Sequence, residues 1–199
     1  MGSKGFWTAV LGLLFLGAGA AQAADYTIDP QHSSLNFKVK HLSISYVMGK
    51  FSKFSGSFQF DEKHAEKSKV TVTIDPSSVD TGEPARDNDL RSDHFFEVAT
   101  YPTATYTSTR VTKIVDGKFK IIGNLTLHGV TKPVVLDATY DGAADDAQGH
   151  HVAFEATGEI NRQDYGVDFN VTLDKGGVLV DDHVKLIFEI EGLQDAAKK

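Results

Sequence analysis

From residue 24 onward, apolar and polar side chains alternate along most of the chain. Leu35, Phe37 and Val39 are separated by polar neighbours. The same alternation recurs over residues 58–60, 70–74, 119–127, 134–140, 152–160 and 184–190. Because successive side chains of a strand point to opposite faces, a period of two predicts half-buried β-strands with one dry face. Short turn sequences between the runs, such as Asp116-Gly117 and His128-Gly129, predict antiparallel pairing of neighbouring strands.

About eight such strands with short connections predict an all-β fold, either a closed up-and-down barrel or a sandwich. The barrel is favoured because closure removes unpaired strand edges, and at eight strands its interior is filled by side chains or holds one small ligand. An outer-membrane barrel is a weaker alternative, because it needs aromatic girdles and the single tryptophan is Trp7.

Two stretches, residues 83–96 and 161–174, interrupt the alternation. The first predicts one short helix, with Pro84 in the first turn. We expect Phe95 and Phe96, which follow the polar part of that stretch, to cap an open end of the sheet. Neither stretch resembles a linker, so the sequence predicts one domain.

The first 23 residues have the pattern of a secretory signal peptide. Lys4 precedes an apolar run that begins at Phe6, and small residues ending in Ala21-Gln22-Ala23 follow it. The run is too short for a transmembrane helix, which needs about 20 apolar residues. We therefore predict a signal peptide over residues 1–23, and an exported, periplasmic domain over residues 24–199 without a transmembrane segment.

Composition excludes several classes of function. The chain has no cysteine, which excludes disulfides, thiol nucleophiles and iron–sulfur ligation. Its 20 Lys and Arg residues against 27 Asp and Glu residues give a formal charge of −7, which argues against nucleic acid as a partner. The glycine-rich loops that bind nucleotide phosphates are missing, so no cofactor is predicted.

Six motifs, in order along the chain, resemble the YceI-like family. They are IDPQHS (28–33), VMGKF (47–51), LRSDHFF (90–96), GNLTLHGVTKP (123–133), INRQDYG (160–166) and DDHVKL (181–186). The resemblance implies a lipocalin-like antiparallel barrel, often exported to the periplasm, that binds polyisoprenoid chains. The expected partner is thus a polyisoprenoid or an isoprenoid quinone, and the protein itself is either a monomer or a dimer.

A polyisoprenoid is long and apolar, so its site requires a dry tunnel with few polar groups. The sequence leaves open whether the inward-facing residues surround such a ligand or simply fill the core. The candidates for an apolar lining are Phe37, Val39, Phe51, Phe58, Phe96, Tyr106, Phe119, Ile121, Leu125, Phe154, Ile160 and Phe188.

Arg91 and Arg162, in the two irregular stretches, are candidates for binding a polar head group. A guanidinium can bind phosphate or carbonyl oxygen through its fork of donors. The favoured alternative is that both arginines pair with acids and attach the helix and the loop to the barrel.

The eight histidines form no H-E-x-x-H motif, and no metal site is predicted, although folding can bring distant ligands together. Asp29, His32 and Ser33 could suggest a hydrolase, but the G-x-S-x-G motif is missing and these residues are more typical of a turn into the first long strand. We therefore predict no catalytic residues. The alternative is an exported enzyme that acts on a small amphiphile, with His32, His41 or His128 paired at the barrel mouth.

Overall fold

A computed structural model describes residues 23–173 and 177–196 of the chain. The predicted signal peptide lies outside these ranges except for Ala23, so it stays a prediction. The helix α1 spans Pro84–Arg91. The strands are β1 (Ala24–Ile28), β2 (Ser34–His41), β3 (Ser45–Phe51), β4 (Phe54–Phe60), β5 (Lys69–Ile74), β6 (Val79–Asp80), β7 (Ala104–Val111), β8 (Lys118–Leu127), β9 (Val130–Asp145), β10 (His150–Asn161) and β11 (Val180–Gln194).

Eight of these strands close into a barrel in which every neighbouring pair is antiparallel. The order around the barrel is β1, β4, β5, β7, β8, β9, β10 and β11, and β11 pairs with β1 to complete the ring. Tyr26 of β1, for example, is paired with Gln194 on one side and with Phe58 on the other. The predicted all-β, eight-stranded, lipocalin-like antiparallel barrel with one short helix is confirmed.

Strands β1 and β2 lie along the same edge of β11, separated by a break at residues 29–33. The hairpin of β2 and β3 therefore extends the barrel wall, and β3 also pairs with the two residues of β6. We call the end of the barrel that carries α1 and the 41–45 hairpin tip the helix end. The opposite end, which carries the 112–117 and 146–149 turns, is the turn end.

The helix forms inside the predicted stretch of residues 83–96. Glu83 caps it by accepting a hydrogen bond from the backbone N–H of Ala85, and Pro84 occupies the first turn. The helix ends before Ser92, whose backbone is extended, so Phe95 and Phe96 are free to turn towards the barrel. Within the described ranges, none of the helices combines the length and the apolar character of a membrane-crossing segment.

Inward-facing aromatic rings lie over glycines of other strands. Phe37 covers Gly49, Phe58 covers Gly192, and Tyr106 covers Gly123, so closely that a Cβ on any of these glycines would overlap the ring. The rings thus pack directly against the backbone at these glycines. This close approach lets large aromatic side chains fit inside a barrel of only eight strands.

Candidate functional site

The barrel interior contains two apolar cavities that meet at its middle. The first, towards the turn end, has a volume of about 120 Å³, and the second, towards the helix end, has a volume of about 130 Å³. Both cavities are bounded by Ile74, Leu125, Leu186 and Phe188. We call these four residues the waist, because they line both cavities and stand at the boundary between them.

All twelve residues predicted to form an apolar lining lie on the walls of these cavities. Phe58, Tyr106, Phe119, Ile121 and Phe154 line the first; Phe37, Val39, Phe51, Phe96 and Ile160 line the second; Leu125 and Phe188 line both. Most of these side chains also pack in the core, so their contribution to ligand binding stays a prediction. Leu186 and Ile74 are two waist residues outside the predicted set. Both lie in runs where apolar and polar side chains alternate, so the same pattern could have identified them.

Phe154 forms the centre of the aromatic wall of the first cavity. Its ring centroid lies 4.9 Å from that of Phe60, 5.6 Å from that of Phe58 and 6.0 Å from that of Phe119, with the rings nearly perpendicular in each pair. Edge-to-face packing of this kind is one of the arrangements that aromatic rings prefer. The wall is therefore a packed network of rings rather than a set of independent side chains.

Tyr106 is the one phenol in the set of candidate lining residues, and its hydroxyl is uncharged and hydrogen-bonded within the wall. The Tyr106 hydroxyl donates to the carbonyl oxygen of Ile121 at 3.1 Å or to that of Val134 at 3.3 Å. Burial raises the pKa of Tyr106 far above its ordinary value, because the charged phenolate would lose its hydration. Tyr106 thus presents an uncharged ring to the cavity.

Two consecutive phenylalanines close the second cavity at the helix end. The Phe96 ring centroid lies 5.7 Å from that of Phe51, which in turn lies 5.6 Å from that of Phe37. Phe95 packs against Phe169 at 5.3 Å. These residues occupy the capping position expected for them from the sequence.

Arg91 is bound to the backbone next to the helix. Its Nε donates to the carbonyl oxygen of Ser77 and its Nη2 to that of Val79, both at 2.7 Å. These contacts attach α1 to β6, in agreement with the interpretation that the sequence favours, although the partners are carbonyls rather than acids. A role for Arg91 in binding a head group stays a prediction.

Arg162 lies on the wall of the second cavity and is only 4% exposed. Its Nη1 donates to the carbonyls of Val167 (2.7 Å) and Phe169 (2.9 Å), and its Nη2 reaches Asp182 Oδ1 at 3.2 Å. Burial lowers the pKa of Arg162, and the charge of Asp182 opposes this effect. Because its donors are already used within the protein, the contacts favour an attachment role, and a head-group role stays untested.

The three histidines of the enzyme alternative lie outside the described walls of both cavities. The imidazole of His32 bonds Asp29, whereas the Ser33 hydroxyl donates to the carbonyl oxygen of Glu191 at 3.2 Å. His128 stands at the predicted hairpin tip between β8 and β9, where its Nδ1 lies 3.0 Å from the carbonyl oxygen of Tyr165. The structure therefore does not bring a histidine and a nucleophile together at the cavities in the part of the chain that it describes.

Comparison with known proteins identifies relatives over nearly the whole chain. The model of the YceI-like domain matches residues 26–192. A "UPF0312 protein" of Yersinia pestis is 46% identical over 187 residues, which cover 92% of this chain and 94% of the relative.

Solved structures agree with this result. The Campylobacter jejuni YceI protein is 37% identical, with a TM-score of 0.66 over 79% of this chain and 90% of that one. A polyisoprenoid-binding domain from Saccharophagus degradans, 20% identical, shares the fold with a TM-score of 0.59 over 87% of this chain and 99% of its own. The match to the family model and the identity to the Yersinia protein show that this chain belongs to the YceI-like family.

Proposed function

We propose that this protein is an exported, periplasmic binding protein that holds a long isoprenoid lipid inside its barrel. The lipid is of the polyprenyl or quinone type, and the protein transports, stores or protects it. The observation that carries the proposal is the pair of adjacent apolar cavities that share the waist residues as a common wall. The fold shared with the polyisoprenoid-binding domain supports it, and the position of His32, His41 and His128 away from the cavities favours binding over catalysis.

The dimensions of the interior favour a slender ligand. Each cavity is smaller than the roughly 300–1,000 Å³ of a typical ligand pocket, so a bulky ring system would not fit without repacking the wall. A polyisoprenoid chain is narrow and flexible, and it can pass the waist when a few side chains change rotamer. Burial of its apolar surface contributes about 25 cal/mol per Å², from which the cost of ordering the chain is subtracted.

Lipid analysis of the native protein tests this function. The protein is purified under gentle conditions from the periplasm of cells that express the full chain, and its lipid is extracted and identified by mass spectrometry. We expect a co-purifying isoprenoid, or uptake of added long-chain polyprenol or ubiquinone by the delipidated protein. The proposal is overturned if no isoprenoid co-purifies and neither added lipid binds.

A variant at the waist tests where the lipid lies. Leu125→Trp adds bulk at the boundary that a long lipid must cross to occupy both cavities, so it should abolish binding of the long-chain polyprenol while farnesol still binds. Val135→Trp is the matched control, because Val135 is 46% exposed on the outer face of β9 and should leave both lipids bound. Ile74→Phe adds less bulk at the same boundary and replaces Leu125→Trp if that variant unfolds. Unchanged polyprenol binding in a folded waist variant would place the lipid elsewhere.

Export is tested by the mass of the protein in each cell fraction. The proposal expects the periplasmic form to begin at Ala24, immediately after Ala21-Gln22-Ala23. Retention of the complete chain in the cytoplasm would contradict this part of the proposal and leave the lipid site itself untouched.

A further inference from the structure

Two histidines and two carboxylates from three separate parts of the chain converge on the outside of the barrel. The Nδ1 atom of His32 lies 2.7 Å from Asp29 Oδ2 and 4.0 Å from Glu191 Oε1. The Nδ1 atom of His151 lies 2.9 Å from the same Glu191 oxygen. Asp29, His32 and Glu191 each offer one potential metal-ligand atom, and these three atoms lie within 4.8 Å of one another.

The barrel holds this cluster in place at the break between β1 and β2. The backbone N–H of Asp29 donates to the carbonyl of Glu191 at 2.9 Å, and the Ser33 hydroxyl accepts from the backbone N–H of Glu191 at 2.9 Å. Asp29 Oδ1 accepts from the N–H of Gln31 at 2.8 Å, which leaves Oδ2 facing His32. Asp29 and His32 thus lie in a turn that these hydrogen bonds attach to Glu191 of β11, and His151 lies on the neighbouring strand β10.

The four residues of the cluster do not line either of the interior cavities described above. His32, His151 and Glu191 instead border a surface depression that Asp146 also lines. His151 Nε2 lies 3.0 Å from Asp146 Oδ1, so this imidazole links two carboxylates and orients Glu191. The lipid-binding proposal therefore leaves the cluster without a role.

We propose that Asp29, His32 and Glu191 form a binding site for a divalent transition-metal ion, with Zn²⁺ as the best match, and that His151 is a positioning residue. Imidazole nitrogen combined with carboxylate oxygen suits Zn²⁺, whereas Ca²⁺ and Mg²⁺ prefer oxygen alone. In a tetrahedral site with bonds of about 2.0–2.1 Å, the ligand atoms stand about 3.3–3.5 Å apart.

The distances of 2.7 and 4.0 Å from His32 Nδ1 lie on either side of that spacing, so metal binding requires a rotation of the imidazole together with an adjustment of the two carboxylates. The proton that His32 and Asp29 share in their hydrogen bond leaves when the metal binds. The His32 side chain is 60% exposed, which leaves the fourth coordination position to water.

The chain contains a matched pair that should not bind metal. Asp61 and His64 have the same sequence spacing as Asp29 and His32, and their Nδ1–Oδ2 distance is 2.9 Å. In the described part of the chain, no third histidine or carboxylate joins them in a group of metal-ligating geometry. A difference in metal affinity between variants of the two pairs would therefore report the contribution of Glu191 and His151.

The experiment uses the full-length protein purified from expressing cells and stripped with a chelator. Zn²⁺ is titrated by calorimetry, and Co²⁺ by its visible absorption, which is intense for tetrahedral coordination. We expect one equivalent of metal per chain. His32→Ala and Glu191→Gln should each weaken binding by at least about tenfold, and His151→Ala by about 10–100-fold, as is typical for a group that orients a ligand. His64→Ala should leave the affinity unchanged.

Metal-free unfolding temperatures show whether each variant is folded, and His32→Gln, which retains a polar group near Asp29, replaces His32→Ala if that variant unfolds. The proposal is overturned if the folded wild-type protein binds no stoichiometric metal, or if His64→Ala weakens binding as much as His32→Ala. The site lies outside the cavities, so failure here would not alter the result of the lipid experiments.

Discussion

At the scale of single residues, Arg162 shows how a buried charge organises an irregular segment. Its guanidinium donates to carbonyls of the 167–169 segment and to those of Val180 and Asp181 at the start of β11. The 3₁₀ turn Arg162–Tyr165 and the residues that follow it are thereby attached to the barrel. Carbonyl groups in a segment without strand pairing thus obtain hydrogen bonds from the side chain of Arg162.

Replacement of this arginine should be strongly destabilising. Arg162→Met keeps the apolar volume but leaves several buried carbonyl oxygens without a donor, so we expect a loss of about 2–4 kcal/mol in the free energy of unfolding. Urea denaturation measures the change. Arg86→Met is the control: Arg86 is exposed and bonds only to Thr81 in the described structure, so it should change stability by less than about 1 kcal/mol. Equal effects of the two substitutions would contradict the attachment role.

The carboxylate of Asp61 should make stability depend on pH in the acid range. The hydrogen bond from His64 lowers the pKa of Asp61 below its ordinary value of 3.8. Because the folded pKa is the lower one, the stabilisation is complete above the ordinary pKa and is lost as the pH falls through the folded pKa. The stability difference between the wild type and Asp61→Asn should therefore shrink on acidification, which urea midpoints at several pH values would show; a constant difference would be contrary evidence.

The sequence could predict which residues face inward, but not which polar residues meet. Alternation assigns Phe154 or Leu125 to the dry face directly, because the period of a strand is fixed. Glu191 and His32, in contrast, are far apart in the chain, and their contact depends on the register between strands. The local sequence relates His32 only to its near neighbours Asp29 and Ser33, and for that reason it does not predict the cluster with Glu191 and His151.

At the scale of elements, glycines allow an aromatic ring on one strand to pack directly against the backbone of the next strand. A Cβ at Gly123 would lie 2.5 Å from the Tyr106 ring and 2.6 Å from the carbonyl oxygen of Thr107. The ring can turn away, but the backbone carbonyl belongs to the paired strand β7 and cannot move independently.

Gly123→Ala should therefore separate β7 from β8 locally. We expect a loss of about 1–3 kcal/mol in the free energy of unfolding, which is typical of overpacking. Asn124→Ala, on the exposed face of the same strand, should change stability by no more than about 0.5 kcal/mol. Thermal or urea unfolding of the two variants measures the difference, and a neutral Gly123→Ala would show that the strands adapt to the added methyl group.

At the break at residues 29–33, the sequence pattern predicts the turn but not the strand with which its two sides pair. The sequence predicts a turn there, leading into a long strand, and the structure does have a turn. Yet β1 and β2 continue along the same edge of β11 on both sides of it. Local composition specifies that the chain bends, whereas the continued pairing depends on a strand at the other end of the sequence.

At the scale of the whole molecule, closure depends on the first and last strands. Tyr26, Thr27 and Ile28 pair with Gln194, Leu193 and Gly192. These few pairs remove the two edges that an open sheet would expose. The count of alternating segments predicts a closed barrel, but it does not specify which strands meet at the seam.

A short truncation should open the interior. A chain that ends at Glu191 loses the residues that pair with β1, so we expect a lower urea midpoint and increased fluorescence of a dye that binds apolar surface. A chain that ends at Ala196 keeps all of these pairs and should behave as the wild type does. Equal dye binding by the two truncated proteins would mean that the seam does not close the barrel.

The pairing of β1 with β11 also has a consequence for the order of events during synthesis. A ribosome completes β1 first and β11 last, so the apolar interior stays open until almost the entire chain exists. The pairing of β1 with β11 and the burial of a lipid therefore both happen at the end of folding, and both cover the same apolar interior. Refolding from urea in the presence of a polyprenol should therefore give loaded protein faster than adding the polyprenol to the closed barrel, and equal rates would show that the native seam opens readily.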